Sequence, residues 1–224
     1  EHLLSSLAGL GIDCCEVGLT AAELPGFDGS AAAYVEAIDR AEIVPLDRPI
    51  RPVVVTTPVV VEDADGPGRI EAVPPTTQGL RVGYDLEYPG QPIPPQRFET
   101  VITPQHYRTE LAAARTFLPE ADARKLQAAG RGLTVSTSDL LVFGPDGPID
   151  NQLRWPDECA RHKVLDAVGD LLLAGRPIWA DVTAFRSGHR LNAAIVAAVL
   201  AAERTEPSLP AVSGQAKIEG GGDG

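Results

Sequence analysis

The β-forming residues of this chain are gathered into one stretch, and nothing else in the sequence constrains its fold as strongly. Between residues 53 and 102 the segments VVVTTPVVVED, RIEAV, LRVGYDLEY and RFETVI follow one another. Asp-Gly, Pro-Gly and Pro-Pro punctuation separates them, so they read as a meander of hairpins. Helical periodicity lies to either side. Residues 1–9 (EHLLSSLAG) read as a short helix stopped by Gly9 and Gly11. Cys15 to Leu19 alternates weakly, like a strand. Pro25-Gly26-Phe27-Asp28-Gly29 is loop chemistry, with Ser30 as N-cap of a helix through Ala41. After Thr103, residues 104–116 and Asp122 to Ala129 look helical, and LTVSTSDLLVF reads as a strand. An amphipathic helix spans Pro156 to Ala174 and closes at Gly175. The strand IWADVTAF then leads through Ser187-Gly188 into an Ala-rich helix from His189 to Glu203. Strands followed by helices, without βαβ alternation, predict an α+β fold. LDRPIRP, at residues 46–52, marks a boundary between a first domain (1–48) and a second (49–210). The polar, Gly-rich tail (211–224) is expected to be disordered.

The 224 residues, 44% apolar, suffice for one large or two small cores. No run approaches the roughly 18 apolar residues of a membrane span, and no signal peptide is recognisable. A net charge of -12 argues against a nucleic-acid surface, and a phosphate-bearing ligand would need a local basic cluster. Cys14, Cys15 and Cys159 do not make a disulfide framework; an odd count suits a reducing compartment, and the cytoplasm is expected. The chain holds no Met and opens on Glu1 inside what reads as a helix, so a fragment or processed product is expected.

There are four histidines, and each can be weighed. His162, Asp166 and Asp170 fall within roughly 80° of one another on a helix, apart from the arc of Val164, Leu165, Val168, Leu171 and Leu172. An imidazole and a carboxylate at i, i+4 can share a metal, though a solvated His-Asp pair explains the spacing as well. A catalytic zinc site needs a third ligand, for which His2 is the natural candidate. Glu1 beside it would be a general base, although a Glu-His dipeptide alone carries almost no signal and an ordinary structural role explains it as well. His189 follows Ser-Gly at a helix start. The helix N-terminus disfavours its proton and a nearby carboxylate would favour it, so it could titrate near neutrality as a general acid. A His bonded to the backbone there is the bland alternative. His106 is expected at the surface.

In order and wording, EHLLSSLAGLGID, PGFDGSAAAYVEAI, AARTF, RHKVLDAVGDLLLAG and FRSGHRLNAAIVAAVLA resemble the signature blocks of the UDP-3-O-acyl-N-acetylglucosamine deacetylases. The similarity runs from residue 1 to about 203 and is loosest in the β-rich middle. The resemblance implies two small α+β domains, each a sheet layered against helices, with the site between them and the first domain truncated ahead of the Glu-His pair. It implies zinc held by His2, His162 and Asp166, with Glu1 as general base and His189 as general acid tuned by Asp170. Thr116 would offer its hydroxyl to the oxyanion. Phe117 would line the substrate passage, and Lys163 and Arg186 would meet the charges of a UDP-linked acylated N-acetylglucosamine. Arg115, Arg161 and Arg190 would add positive potential. The implied setting is lipid A synthesis in the cytoplasm of Gram-negative bacteria, by a monomer without a nucleic-acid partner. The sequence departs from the family at Cys14 (usually Asn), in PGFDGS (usually PIMDGS) and at Arg186 (commonly Lys). Two rival expectations are a non-catalytic zinc-binding or scaffolding relative, and a zinc amidohydrolase for another N-acetyl sugar.

Overall fold

The computed structural model describes residues 1–130, 136–137 and 139–205. In chain order the first elements are α1 (His2–Leu10), α2 (Ala32–Ala41), β1 (Val53–Val54), β2 (Val59–Glu62), β3 (Arg69–Val73), β4 (Leu80–Leu86) and β5 (Gln96–Val101). There follow α3 (Pro104–His106) with a π-turn (Tyr107–Leu111), β6 (Phe117–Pro119), α4 (Glu120–Ala128), β7 (Leu141–Gly144) and β8 (Gly147–Pro148). The last are α5 (Glu158–Leu171) with a 3-10 turn (Leu172–Ala174), β9 (Ile178–Phe185) and α6 (His189–Thr205).

The expected meander is in fact two hairpins with a distant strand between them. β2 pairs with β3 and β4 with β5, both antiparallel, but β9 enters between the hairpins. It runs antiparallel to β3 and parallel to β4. β1 lies parallel to the start of β9, with Val53 opposite Ile178 and Val54 opposite Trp179. β9 suits the centre. Ile178, Ala180, Val182 and Ala184 are buried on one face, and three of the four residues on the other face are half-buried.

One face of this sheet packs under α5 and α6, with Ile70, Ala72, Val82, Tyr84 and Leu86 in the core. The other carries Arg69-Glu71, Arg81-Glu99, Arg81-Asp181 and Arg97-Asp85 ion pairs. This is the one-sided pattern of a sheet with one face toward solvent. A second, small sheet joins β6, β7 and β8 beside α4. The expected strand LTVSTSDLLVF is observed only over its end, as β7; residues 133–135 and 138 of it, like the tail, lie outside the described residues.

α1 packs on α5. Their contact depends on Gly169, where a Cβ would lie 2.5 Å from the Glu1 carbonyl oxygen and 3.1 Å from the Ser5 nitrogen. Ser5 Oγ donates to the Leu165 carbonyl at 2.7 Å and accepts from the Tyr107 hydroxyl at 2.9 Å. Gly9 does not stop α1: it sits inside the helix under the Tyr107 ring, and the left-handed cap is Gly11 (φ 70). Cys15 to Leu19 forms no strand and is exposed. Ser30 Oγ accepts from the Ala32 N–H at 3.3 Å, close to its expected capping role. Helix over 104–116 ends at Leu111, because the residues beyond it turn toward α5. Cys14, Cys15 and Cys159 are free thiols. No helix of the described residues is long and apolar enough to cross a membrane.

Candidate metal centre and active site

The i, i+4, i+8 ladder of α5 is buried rather than solvated: His162, Asp166 and Asp170 are each less than a tenth exposed. The close approach at Gly169 brings His2 of α1 to the same place. Ligand atoms of His2, His162 and Asp166 all lie within 4.8 Å of one another. The two imidazoles meet edge-on with centroids 5.2 Å apart. His162 Nδ1 carries the proton, since it lies 3.0 Å from the Ala114 carbonyl, which can only accept. That leaves a lone pair on Nε2, 3.3 Å from Asp166 Oδ1. Two donors at roughly 2.0 Å from one tetrahedral ion would be about 3.3 Å apart.

His2 Nε2 and Asp166 Oδ1 are buried and have no hydrogen-bond partner among the described residues. Unpaired buried polar atoms are costly, and a cation at their point of convergence would satisfy both. Burial pushes the His2 pKa down, so the neutral, metal-binding form is favoured. Burial alone would raise the Asp166 pKa, but the partners around the carboxyl, among them the Lys163 ammonium bonded to it, outweigh burial and lower it. The set therefore fits a divalent metal with imidazole and carboxylate ligands.

Around this cluster stand other expected residues. Glu1 Oε1 is 3.9 Å from His2 Nε2, and its side chain is open to solvent. The Thr116 hydroxyl donates to the Gly29 carbonyl at 2.9 Å, and its oxygen lies 3.1 Å from His162 Nε2. Phe117 sets its ring edge-on to His162 at 6.2 Å and to Tyr88 at 6.0 Å. Lys163 Nζ donates to Asp166 Oδ2 at 2.8 Å. Burial works against the Lys163 ammonium, but the Asp166 carboxylate raises its pKa and keeps it charged. Arg186 holds a left-handed backbone (φ 47), unusual for a residue with a side chain, and its charge acts on the hydroxyls of Tyr84 and Tyr88.

His189 and Asp170 form a second group. His189 Nδ1 donates to Asp170 Oδ2 at 2.8 Å, and this bond raises the His189 pKa although partial burial opposes it. The charges of Asp166 and Lys163 are also felt there, so this group adjoins the first. Sequence reasoning missed Asn192. Its amide donates to the same Asp170 oxygen at 2.8 Å and accepts from Ser187 Oγ at 2.7 Å. The signal was a lone Asn in an Ala-rich helix, three residues after His189 and so on its face. Tyr88 was missed because a loop residue shows no periodicity.

The three arginines expected to add positive potential each have an acidic partner. Arg115 is buried and paired with Glu158 at 2.8 Å. Arg161 donates to Asp157 at 2.7 Å and stacks over Phe98. Arg190 is bonded to Asp63. Each is neutralised by a neighbouring carboxylate. His106, expected at the surface, is half-buried and donates through Nδ1 to the Val101 carbonyl.

Fold and site together define an α+β protein with a two-helix His/His/Asp centre suited to a metal. The profile of the family LpxC, UDP-3-O-acyl N-acetylglycosamine deacetylase, matches residues 1–201, and the chain belongs to that family. It is 40% identical over 201 residues to the UDP-3-O-acyl-N-acetylglucosamine deacetylase of Solibacter usitatus (strain Ellin6076), covering 89% of this chain and 66% of the relative. The proteins of that name from Anaeromyxobacter sp. (strain Fw109-5) and Brucella ovis are 38% and 37% identical, covering 90% and 91% of this chain. The chain spans 66% and 65% of the Solibacter and Anaeromyxobacter relatives, just under two thirds, and 70% of the Brucella one.

Proposed function

We propose that this chain carries the catalytic centre of a zinc-dependent deacetylase that hydrolyses the N-acetyl group of UDP-3-O-acyl-N-acetylglucosamine, releasing acetate, in cytoplasmic lipid A biosynthesis. The observation that carries this reading is the convergence of two unpaired buried atoms, His2 Nε2 and Asp166 Oδ1, on the His162 lone pair. In this reading His2, His162 and Asp166 hold the ion. Zinc bound there supplies a Lewis acid and a water whose pKa falls to about 7.

The remaining steps belong to side chains. Glu1, solvent-facing beside His2, takes the proton of the attacking water. The Thr116 hydroxyl, now bonded to Gly29, turns its proton toward the acyl oxygen as negative charge develops. His189 is held by Asp170 through Nδ1, which leaves Nε2 to deliver a proton to the departing amine. Its raised pKa keeps that proton available near neutrality. The amide C–N bond breaks, giving acetate and the free amino sugar. Lys163 retains N–H donors beyond the one given to Asp166, and with Arg186 it meets the substrate's negative charge. Phe117 and Tyr88 supply an apolar wall. The division at residues 48–49 belongs to the same reading, with α1 on one side of the site and α5 on the other. So does action as a monomer.

Elemental analysis of the purified chain beside an Asp166→Ala control tests the metal centre. About one zinc per chain, lost in the control, is expected for a three-ligand site. A folded chain that binds no zinc would sink the reading. Acetate release is then measured from acylated and unacylated nucleotide sugars. Equal rates on both would make the protein an amidohydrolase of broader substrate class.

A further inference from the structure

Ala114 and Thr116 hold the His162 ring from both sides. The Ala114 carbonyl accepts the Nδ1 proton at 3.0 Å, and Thr116 Oγ1 lies 3.1 Å from Nε2. Arg115, between them, engages a different partner. Its Nε donates to Glu158 Oε1 at 2.8 Å and its Nη2 to Oε2 at 3.1 Å. Its backbone N–H donates to the same Oε1 at 3.2 Å. The other guanidinium donors reach Asn151 Oδ1 at 2.9 Å and the Gln152 carbonyl at 2.7 Å.

Glu158 is fully buried and opens α5, where a carboxylate also meets the positive end of the helix dipole. It lies one helical turn before His162. A single tripeptide is thus fastened to a single helix twice, one turn apart: by the ion pair, and by the two contacts with His162.

A buried ion pair is a weak source of stability, since apolar residues of similar volume often serve as well. What a forked, backbone-assisted Arg–carboxylate pair does supply is fixed geometry. Here that geometry decides two things. It holds the Ala114 carbonyl where His162 must keep its proton on Nδ1, so that Nε2 stays a lone pair. It also sets the height of the Thr116 hydroxyl beside that lone pair. If the tripeptide slid along α5, Nδ1 would lose its acceptor and the proton could move to Nε2, closing the atom that a metal needs.

We propose that Arg115 and Glu158 act as one positioning unit, which fixes the tautomer of His162 and the placement of the Thr116 hydroxyl. Its catalytic consequence rests on the reading of His162 as a ligand; the tautomer itself does not. Imidazole ¹⁵N spectra of the metal-free chain, with the four histidines assigned by single substitutions, should show His162 protonated on Nδ1 alone.

The double variant Arg115→Met/Glu158→Met removes both charges together and leaves no unpaired ion. It should give a tautomer mixture at His162, with zinc affinity lowered roughly tenfold or more, as for loss of an outer-shell partner. A folded double variant with His162 unchanged and affinity within about twofold overturns the proposal. Should that variant not fold, hydrogen exchange in the unmodified chain decides. Arg115 Nε–H must exchange no sooner than His162 Nδ1–H; a ring proton that outlasts it would show that the pair does not hold the ring. If the unmodified chain bound no zinc, the tautomer and exchange results would still decide the proposal, so the two readings can fail separately.

Discussion

Two histidine–carboxylate groups share helix α5, and they are built in opposite ways. At His2, His162 and Asp166 the surroundings are closed, and two polar atoms have no hydrogen-bond partner among the described residues. At His189, Asp170 and Asn192 the imidazole is 56% exposed, and the atoms that meet are bonded to one another. Burial drives the His2 pKa down, whereas the bond to Asp170 drives that of His189 up. The residue type is the same, and surroundings alone assign the task. Unspent lone pairs in a buried cluster suit a cation, and a paired, half-exposed imidazole suits a proton.

The comparison breaks most visibly if the two groups are not separable. His189→Ala should lower turnover by about 10²–10⁴-fold, the usual worth of a general acid, while zinc stoichiometry is unchanged. Steady-state rates and elemental analysis on one preparation check both halves. Zinc lost with His189 would mean one site rather than two. A smaller effect is expected at Thr116, which touches the candidate metal group without belonging to it. Thr116→Val keeps the branched shape and removes the hydroxyl. It should lower kcat by roughly 10²-fold with zinc retained, as for loss of one oxyanion donor. Unchanged kcat would confine Thr116 to its bond with Gly29.

The difference between the two groups was only half legible in the sequence. The α5 ladder could be read because helical spacing is local, and Gly169 lies within the same RHKVLDAVGDLLLAG block. What spacing could not say was whether that face was solvated. That depends on α1 arriving from more than 150 residues away, through the bond of Ser5 to Leu165. The same limit explains β9. Alternation showed a strand over 178–185, but not that it would run between a pair of hairpins written a hundred residues earlier, because pairing partners are not encoded in a strand's own pattern. How much positive potential Arg115, Arg161 and Arg190 could add was hidden for a related reason. A positive charge counts toward a ligand only if no carboxylate claims it first. For Arg161 the claimant, Asp157, stood four residues away and could have been seen. For Arg115 and Arg190 the claimants lie 43 and 127 residues off.

The smallest expected effect is on stability, and here the comparison becomes a sign. His189 has a folded pKa raised above its unfolded value, because Asp170 holds the protonated ring. Its contribution is therefore complete below about pH 6.5 and is lost as pH rises through the folded value. His2 has the opposite shift, so its contribution fails toward acid instead. Comparing the unmodified chain with His189→Gln across pH cancels His2, which titrates in both. The stability difference should be largest on the acid side and should shrink steadily toward alkaline pH. For a ring this exposed it should be on the order of 1 kcal/mol or less, since solvent screens the pair. Added salt should reduce it further, because little protein shields His189 from the ions. A difference that instead grew with pH would mean that His189 is held as a neutral ring. The contrast between a proton-holding histidine and one suited to a metal, both against α5, would then collapse.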